Sequence, residues 1–253
     1  MINYLEHHIV DHCNLNCIGC SHFSPIADPW FEDIRDFERD FRELKNKTDV
    51  GTIRIMGGEP LLHPDCTQFL IKARGLFPDS EIQLVTNGIL LKAKKDSLVD
   101  LCNNLNIVIC VSNYGLFNQA TFNYMLDGFK FVRVDGKTNL YNISLDLEGN
   151  QDKEVSFNNC DLHIYHWYYF QNGRFYPCCI SANTQHFDKY FEKSISEDID
   201  NISISIYEHS IEEIEEFLNT PIPLCRYCDT IKRVHTYTPF CRSNKEITEW
   251  TCQ

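Results

Sequence analysis

The sequence predicts an α/β fold, with an open, partial βα barrel over residues 1–150 and a small α+β domain over residues 151–253. Strand-like and helix-like segments alternate through the first part, and the alternation stops near residue 150. The chain has 253 residues, of which 43% are hydrophobic and 23% charged, so a sizeable core is expected. The first part offers too few strands to close an eight-stranded barrel, which favours an open sheet.

The elements of the first part follow from hydrophobic spacing and from proline and glycine. A first helix is expected to begin at Asp28-Pro29, which offers an N-cap and then a proline at the first helical position. Phe37 and Phe41 lie at helical spacing within it. Further helices are expected near residues 65–77, 98–105 and 117–126. Strands are expected at residues 4–11, 52–56, 81–85, 107–111, 129–135 and 141–147.

Strand–helix alternation of this kind gives parallel strands joined by right-handed crossovers. The carboxyl ends of such strands share one edge of the sheet, where α/β proteins build their active sites. The segments expected at this edge are the cysteine-bearing loop 12–28, Gly57-Gly58-Glu59-Pro60, Thr86-Asn87-Gly88 and Ser112-Asn113.

The second part has a different pattern. Aromatic segments flank Asn172-Gly173, a strong signal for a β-hairpin. Ser210 and Glu213 form a capping box for a helix that must end before Pro221. We expect a small α+β unit that needs additional staples.

Charge and cysteine content limit the function classes. The net charge of −13 argues against nucleic acid or an anionic membrane as the main partner. Neither a bilayer-spanning apolar run nor a secretory signal is evident, so a cytoplasmic protein is expected. The chain has 13 cysteines, an odd number that cannot all close into intramolecular disulfides. Clustered cysteines in a reducing compartment favour metal binding.

Cys13, Cys17 and Cys20 lie within eight residues of one another in the first loop. Close thiolates favour zinc or an iron–sulfur cluster. Structural zinc usually takes four protein ligands, whereas a trio leaves one position open. An open iron of a cubane cluster is a place where a substrate or cofactor can bind.

With this trio followed by Gly57-Gly58-Glu59-Pro60, the chain resembles the radical SAM superfamily over residues 1–150. The resemblance implies a [4Fe–4S] cluster on the trio, whose fourth iron binds S-adenosylmethionine. Gly19 stands where the family often has an aromatic residue near the adenine, so that either His22 or Phe23 replaces this contact or the contact is absent. The resemblance implies cofactor contacts from Gly57, Gly58, Glu59, Pro60, Thr86, Asn87, Ser112 and Asn113.

Four more cysteines follow in the second part, namely Cys160, Cys178, Cys225 and Cys228. Their spacing is suited to a tetrahedral zinc site or to a second [4Fe–4S] cluster. The pattern resembles the twitch domain of radical SAM enzymes, a shortened SPASM domain. That resemblance implies one auxiliary [4Fe–4S] cluster with four protein ligands, which can exchange an electron with a substrate radical.

The resemblance implies that the enzyme cleaves S-adenosylmethionine to a 5′-deoxyadenosyl radical, with an external one-electron donor such as flavodoxin or ferredoxin. The layout is similar to that of compact aminocyclitol (2-deoxy-scyllo-inosamine) dehydrogenases. We therefore expect oxidation of an alcohol to a ketone on a small carbohydrate-like substrate, with the auxiliary cluster taking the electron. Radical epimerisation, peptide modification and a non-enzymatic electron-transfer module are the alternatives.

The candidate catalytic residues rest on their placement. Arg133 and Tyr114 lie near strand ends, where they could meet substrate hydroxyls. Cys179 adjoins a proposed cluster ligand and could return a hydrogen atom to a radical. Glu6 or His8 could face the barrel interior, and His63 is expected to organise the glycine turn.

Overall fold

A computed structural model describes residues 1–135, 139–141, 143–196, 198–233, 235–237 and 240–252, with the backbone alone for 139–141 and 235–237. The strands in this part of the chain are β1 (Ile2–Val10), β2 (Val50–Gly57), β3 (Glu81–Thr86), β4 (Ile107–Ser112), β5 (Val132–Asp135), β6 (Asn139–Tyr141), β7 (Tyr168–Gln171), β8 (Arg174–Tyr176), β9 (Ile204–Ser205) and β10 (His235–Tyr237).

The helices in this part of the chain lie between these strands. They are α1 (Ile34–Lys47), α2 (Cys66–Leu76), α3 (Leu91–Asn104), α4 (Gln119–Leu126), α5 (Lys153–Asn158), α6 (Asp161–Ile164), α7 (Cys179–Phe191), α8 (Ile199–Ile202) and α9 (Ile211–Leu218). Short 3-10 turns cover Pro60–Leu62, Pro223–Tyr227 and Ile247–Glu249. The predicted capping box of Ser210 and Glu213 is confirmed at the start of α9.

The predicted start of α1 at Asp28-Pro29 is wrong. The helix begins after Asp33, whose side chain accepts a hydrogen bond from Arg35 N at 2.8 Å. The preceding residues stay extended because they pair with the end of β1. Phe31 forms an isolated β-bridge with Val10, and the N–H of Glu32 donates to Ile9 O at 3.1 Å. Pairing with the end of β1 therefore outweighs the local helix-start signal.

One open, mostly parallel sheet organises the molecule, in the order β5-β4-β3-β2-β1-β7-β8-β9. Strands β1 to β5 run parallel to their neighbours, and β7 runs parallel to β1 on its other side. The hairpin of β7 and β8 around Asn172-Gly173 is confirmed. The α/β fold is therefore that of a partial barrel, as the sequence predicts.

The prediction that residues 141–147 form the sixth strand of the barrel is wrong. Residue 142 lies outside the described residues, and β6 pairs antiparallel with β10 in a separate two-stranded sheet. Leu145 instead bridges Cys228 and Thr251, and its N–H donates to Trp250 O at 2.8 Å. Ile143 and Leu145 are fully buried among residues of the second part, which explains why this segment leaves the barrel. The sixth parallel strand is β7.

Two hydrophobic cores support the sheet. The larger one packs α1, α2 and α3 against the sheet, with Phe37, Phe41 and Phe69 fully buried. The second contains Trp250, whose indole Nε1 donates to Cys20 O at 2.9 Å. The second core therefore anchors the cysteine loop that follows β1. The proposed division at residue 150 stays a prediction, although β7 to β9 continue the same sheet.

Within the described residues, no helix has both the length and the apolar character that crossing a bilayer requires.

Candidate functional site

The glycine turn after β2 packs directly against the cysteine loop after β1. Gly58 N donates to Val10 O at 2.8 Å, and Glu59 N donates to His12 O at 3.2 Å. A Cβ on Gly57 would lie 2.1 Å from Val10 O, and one on Gly58 would lie 2.2 Å from His12 O. Only glycine permits this approach of the two backbones. The turn and the loop are thus held as one unit at the carboxyl edge of the sheet.

A cavity of about 180 Å³ opens at this edge. It brings together the cysteine loop, the ends of β2, β3 and β4, and the inner face of β1 and β2. Its lining contains Glu6, Cys13, Leu15, Cys17, Cys20, His22, Ser24, Arg54, Met56, Gly57, Gly58, Val85, Thr86, Asn87, Ser112 and Tyr114. Besides the three cysteines, eight of these lining residues are ones that the sequence places near the cofactor or the substrate: Glu6, His22, Gly57, Gly58, Thr86, Asn87, Ser112 and Tyr114.

Glu59 lies behind the cavity wall, fully buried. Its carboxylate accepts from Leu61 N at 3.1 Å, Thr86 Oγ1 at 2.7 Å and Asn87 N at 2.8 Å. Burial raises the pKa of Glu59 to about 7. This side chain therefore ties the glycine turn to the end of β3, and Pro60 continues into the 3-10 turn behind it.

Two other predicted residues lie outside the lining. Asn113 follows β4, and its side-chain Oδ1 accepts from Gly115 N at 3.0 Å. Arg133 pairs with Glu81 at the start of β3, with 3.2 Å between Nη1 and Oε1, and half of its side chain is exposed. Tyr114 does line the cavity, together with Cys17.

The three thiols of the loop are reduced and border the same cavity. Burial raises the pKa of Cys13 to about 11. Burial alone would also raise the pKa of Cys20, but the hydrogen bond and charge of His22 outweigh it and lower that pKa. Asn87 Nδ2 lies 3.6 Å from Cys13 Sγ. Three soft donors facing one polar cavity fit a [4Fe–4S] cluster with an open iron.

A charged network extends from the cavity between β1 and β2, and sequence reasoning missed two of its members, Tyr4 and Arg54. Arg54 Nη1 donates to Tyr4 OH and to Glu6 Oε1, the latter at 3.3 Å. Arg54 Nη2 lies 3.9 Å from Asp135 Oδ2. The alternation of β2 was the available signal, because Arg54 and Met56 share one face of that strand.

Glu6, His22 and Cys179 meet beside the cavity. One ligand atom from each lies within 4.8 Å of the other two. His22 Nε2 is 3.7 Å from Glu6 Oε2. Although burial favours the neutral imidazole, the neighbouring Cys179, Cys20 and Glu6 raise the pKa of His22 well above its usual value. Phe23, the other predicted substitute for the adenine contact, is instead buried in the second core.

His63 and His8 have structural positions. His63 Nε2 is 3.0 Å from Glu32 O, and its Nδ1 accepts from Asp65 N at 3.0 Å. These bonds place His63 in the organisation of the turn before α2. His8 is fully buried, with its Nδ1 3.2 Å from Asp11 Oδ1.

The second cysteine group lines a separate cavity. Cys160, Cys178, Cys225 and Cys228 surround it together with Ser156, Phe157, His163, Pro177, Ile222, Leu224, Thr230 and Arg233. Cys178 caps α7, and its Sγ accepts from Ser181 N at 3.4 Å. Four reduced thiols converging from three segments fit a cluster or metal with four protein ligands.

Residues 8–112 match the family model of the Radical SAM superfamily. The chain carries a radical SAM domain. This radical SAM domain includes the cysteine trio, the glycine turn and strands β2 to β4. The radical SAM family implies a [4Fe–4S] cluster and S-adenosylmethionine as cofactors, and the lining of the first cavity is consistent with both.

Curated relatives are GTP 3′,8-cyclases. That of Sulfurimonas denitrificans is 33% identical over 112 residues, which cover 43% of this chain and 35% of that protein. That of Campylobacter jejuni (strain RM1221) is 37% identical over 93 residues, covering 36% of this chain and 29% of the relative. The match therefore spans about a third of these relatives' length.

Two solved structures share the fold over most of the chain. BtrN in complex with AdoMet and 2-DOIA superposes with a TM-score of 0.54 at 16% identity, covering 94% of this chain and 97% of that one. The native anSMEcpe with bound AdoMet and Cp18Cys peptide gives 0.53 at 12% identity, covering 94% and 92%. At this identity the likeness concerns the fold.

Proposed function

We propose that the protein is a radical SAM oxidoreductase that oxidises an alcohol of a small, carbohydrate-like substrate to a ketone. The observation that carries this proposal is the pairing of two different cysteine sites. One has three thiols beside a polar cavity, and the other has four thiols in a cavity of its own. An open site of this kind can bind a cofactor, whereas a fully ligated cluster is suited to accepting an electron.

Cys13, Cys17 and Cys20 would hold the first cluster, with S-adenosylmethionine against Gly57, Gly58, Thr86, Asn87 and Ser112. When bound, this cofactor pair supplies a 5′-deoxyadenosyl radical that removes a hydrogen atom from the substrate, after one electron from a donor such as flavodoxin or ferredoxin. The chain itself fixes the geometry: the bonds of Glu59 hold the glycine turn against the end of β3. Asn87 Nδ2 donates a hydrogen bond to Asn14 Oδ1 at 2.8 Å and thereby holds the cysteine loop.

The charged groups of the cavity support a substrate rich in hydroxyl or amino groups. Glu6 is the carboxylate on the wall, and Arg54 holds it at 3.3 Å. Burial would raise the pKa of Glu6, but His22, Arg54 and Tyr4 lower it, so the carboxylate is ionised near neutral pH. An ionised Glu6 can orient a substrate hydroxyl by accepting its hydrogen bond. It can also take the hydroxyl proton at Oε2 once the adjacent carbon has lost its hydrogen atom.

The remaining electron has to leave for the ketone to form. Cys178 belongs to the four-thiol group, and its neighbour Cys179 meets Glu6 and His22 beside the first cavity. Two consecutive residues therefore join the two sites, which supports electron transfer from the substrate to an auxiliary cluster. The overall change is the loss of two hydrogens from a carbinol: one atom to the nucleoside radical, then one proton and one electron.

Anaerobic reconstitution and turnover would test this proposal. Iron and sulfide analysis should give about eight of each per chain, and about half of that in a Cys13→Ala, Cys17→Ala, Cys20→Ala triple variant. A panel of aminocyclitols and sugars should contain a substrate that forms 5′-deoxyadenosine and a carbonyl product in equal amounts. Zinc in the second site of the wild type, or absence of 5′-deoxyadenosine under reductant, would overturn it.

The position of Cys179 supports radical epimerisation as a second candidate function. A thiol beside the cavity could return a hydrogen atom to the opposite face of the substrate carbon. Turnover in deuterium oxide separates the two functions, because epimerisation incorporates deuterium at carbon and loses that incorporation in Cys179→Ala. Oxidation instead yields a carbonyl product, and Cys179→Ala should still form that product. A peptide, which the native anSMEcpe structure contains, belongs in the same substrate panel.

A further inference from the structure

The four-thiol cavity contains one charged contact that the proposed function does not use. Arg233 Nη1 donates to Cys160 Sγ at 3.0 Å, and Arg233 Nε donates to Ile143 O at 3.3 Å. We propose that Arg233 sets the reduction potential of the auxiliary cluster, raising it so that the cluster accepts the substrate's electron. This inference rests on the proposed function, in which these four cysteines hold a [4Fe–4S] cluster.

The direction follows from charge. A cluster held by four thiolates gains a further negative charge on reduction, so a nearby cation stabilises the reduced form more than the oxidised form. Hydrogen bonds to the cluster sulfurs act in the same direction. Arg233 supplies both effects. It donates to Cys160 Sγ and lines the same cavity as Cys178, Cys225 and Cys228.

The surroundings make this charge effective. Among the described residues that line the cavity, Arg233 is the one with a permanent charge, and Phe157, Pro177, Ile222 and Leu224 supply apolar walls. Charge interactions are less screened in such surroundings than in water. The bond to Ile143 O fixes the guanidinium in its orientation.

A second donor acts on another thiol of the same cavity. Ser181 N, in the first turn of α7, donates to Cys178 Sγ at 3.4 Å. The amino end of this 13-residue helix therefore also favours negative charge on the cluster. Because a backbone donor survives side-chain substitution, Arg233 is the part of this environment that can be tested separately.

The test measures the potential rather than turnover. In the Cys13→Ala, Cys17→Ala, Cys20→Ala background only the auxiliary cluster contributes to the signal. Its reduction is followed by electron paramagnetic resonance in an anaerobic redox titration, with Arg233 intact, Arg233→Gln and Arg233→Lys. At a fixed potential, Arg233→Gln should lower the ratio of reduced to oxidised cluster at least tenfold, a shift of about 59 mV for one electron. Arg233→Lys should shift it in the same direction by less.

Lys232→Gln is the matched control, since it removes a neighbouring charge that pairs with Asp229 at 3.1 Å and is largely exposed. It should leave the potential unchanged. If Arg233→Gln has the same iron content and the same reduction potential as the protein with Arg233 intact, the role of Arg233 is refuted. The proposed function is not affected by that result. If Arg233→Gln loses its iron, Arg233→Lys decides: a lowered potential supports the inference and an unchanged one refutes it. Zinc or no iron with Arg233 intact would instead contradict the proposed function.

Discussion

The two cysteine groups are built in different ways. Cys13, Cys17 and Cys20 come from one loop between β1 and α1, and backbone-to-backbone packing at Gly57 and Gly58 places that loop. The second group collects residues 160, 178, 225 and 228 from segments far apart in the chain. The three thiols of the first group border a cavity that reaches the ends of the neighbouring strands. Distant segments can close around a centre completely.

The charged residues around the two cysteine groups also differ. The first cavity contains opposite charges, Glu6 and Arg54, suited to orienting a polar ligand. The second has apolar walls and Arg233, suited to stabilising added negative charge. We propose that the first site binds cofactor and substrate and that the second takes up an electron. The following predictions separate these two tasks.

The largest effect is expected from Cys17→Ala. Loss of one of three thiolates should abolish the first cluster, because the loop offers no replacement donor of the same kind next to it. Formation of 5′-deoxyadenosine under reductant should fall to background, and iron should fall by about half. The control is Cys102→Ala, which removes a buried thiol from α3. Cofactor cleavage persisting in Cys17→Ala would show that this cysteine is no ligand.

Cys228→Ala should affect the other task. Without the fourth thiolate the auxiliary cluster should be lost, so the substrate radical has no electron acceptor. Cofactor cleavage should continue, whereas ketone formation should fall at least tenfold relative to 5′-deoxyadenosine. The ratio of these two products, measured by chromatography in one reaction, is the readout. A ratio equal to that of the wild type would refute electron acceptance at this site.

Much of the first site was predictable because its chemistry is local in sequence. The trio, the glycine turn and the polar ends of β3 and β4 each follow a strand, and parallel strands bring those ends to one edge. Glu59 shows the limit of that logic. Its position in the motif suggested a cofactor contact, but the turn folds it inwards, where three donors of the protein satisfy its carboxylate.

The rest depends on long-range packing. Arg54 reaches the cavity because β2 alternates and because Glu6 and Tyr4 stand opposite on β1. The place of residues 143–147 is set by burial against Trp250 and Tyr227 from the chain's far end. Cys179 lies close to His22 because β7 and β8 follow β1 in the sheet. Predicting this contact would have required the strand order of the whole sheet. Local spacing carries no information about such contacts.

Gly58→Ala tests how far the first site depends on the backbone contact. The added Cβ would meet His12 O at 2.2 Å, so the turn has to move away from the cysteine loop. We expect the Kd for S-adenosylmethionine to rise about tenfold and the protein to lose about 1–3 kcal/mol of stability. Gly75→Ala is the control: this glycine lies in α2 with open space around it, so alanine should stabilise by about 0.5–1 kcal/mol. Equal Kd values in both variants would refute the argument.

The smallest effect concerns pH and Glu59, whose pKa burial raises from 4.5 to about 7. Between these values the folded chain keeps a proton that the unfolded chain has released, so the free energy of unfolding falls as pH rises. The upper bound is about 3 kcal/mol, or several degrees in Tm. Glu59→Gln cannot titrate and should lack this contribution, although its amide meets the Asn87 N–H and costs some stability at every pH. The Tm advantage of the wild type over Glu59→Gln should therefore shrink between pH 5 and pH 8. An advantage that stays constant or grows would mean that Glu59 is ionised in the folded protein. The link between the glycine turn and β3 would then be a carboxylate at all working pH values.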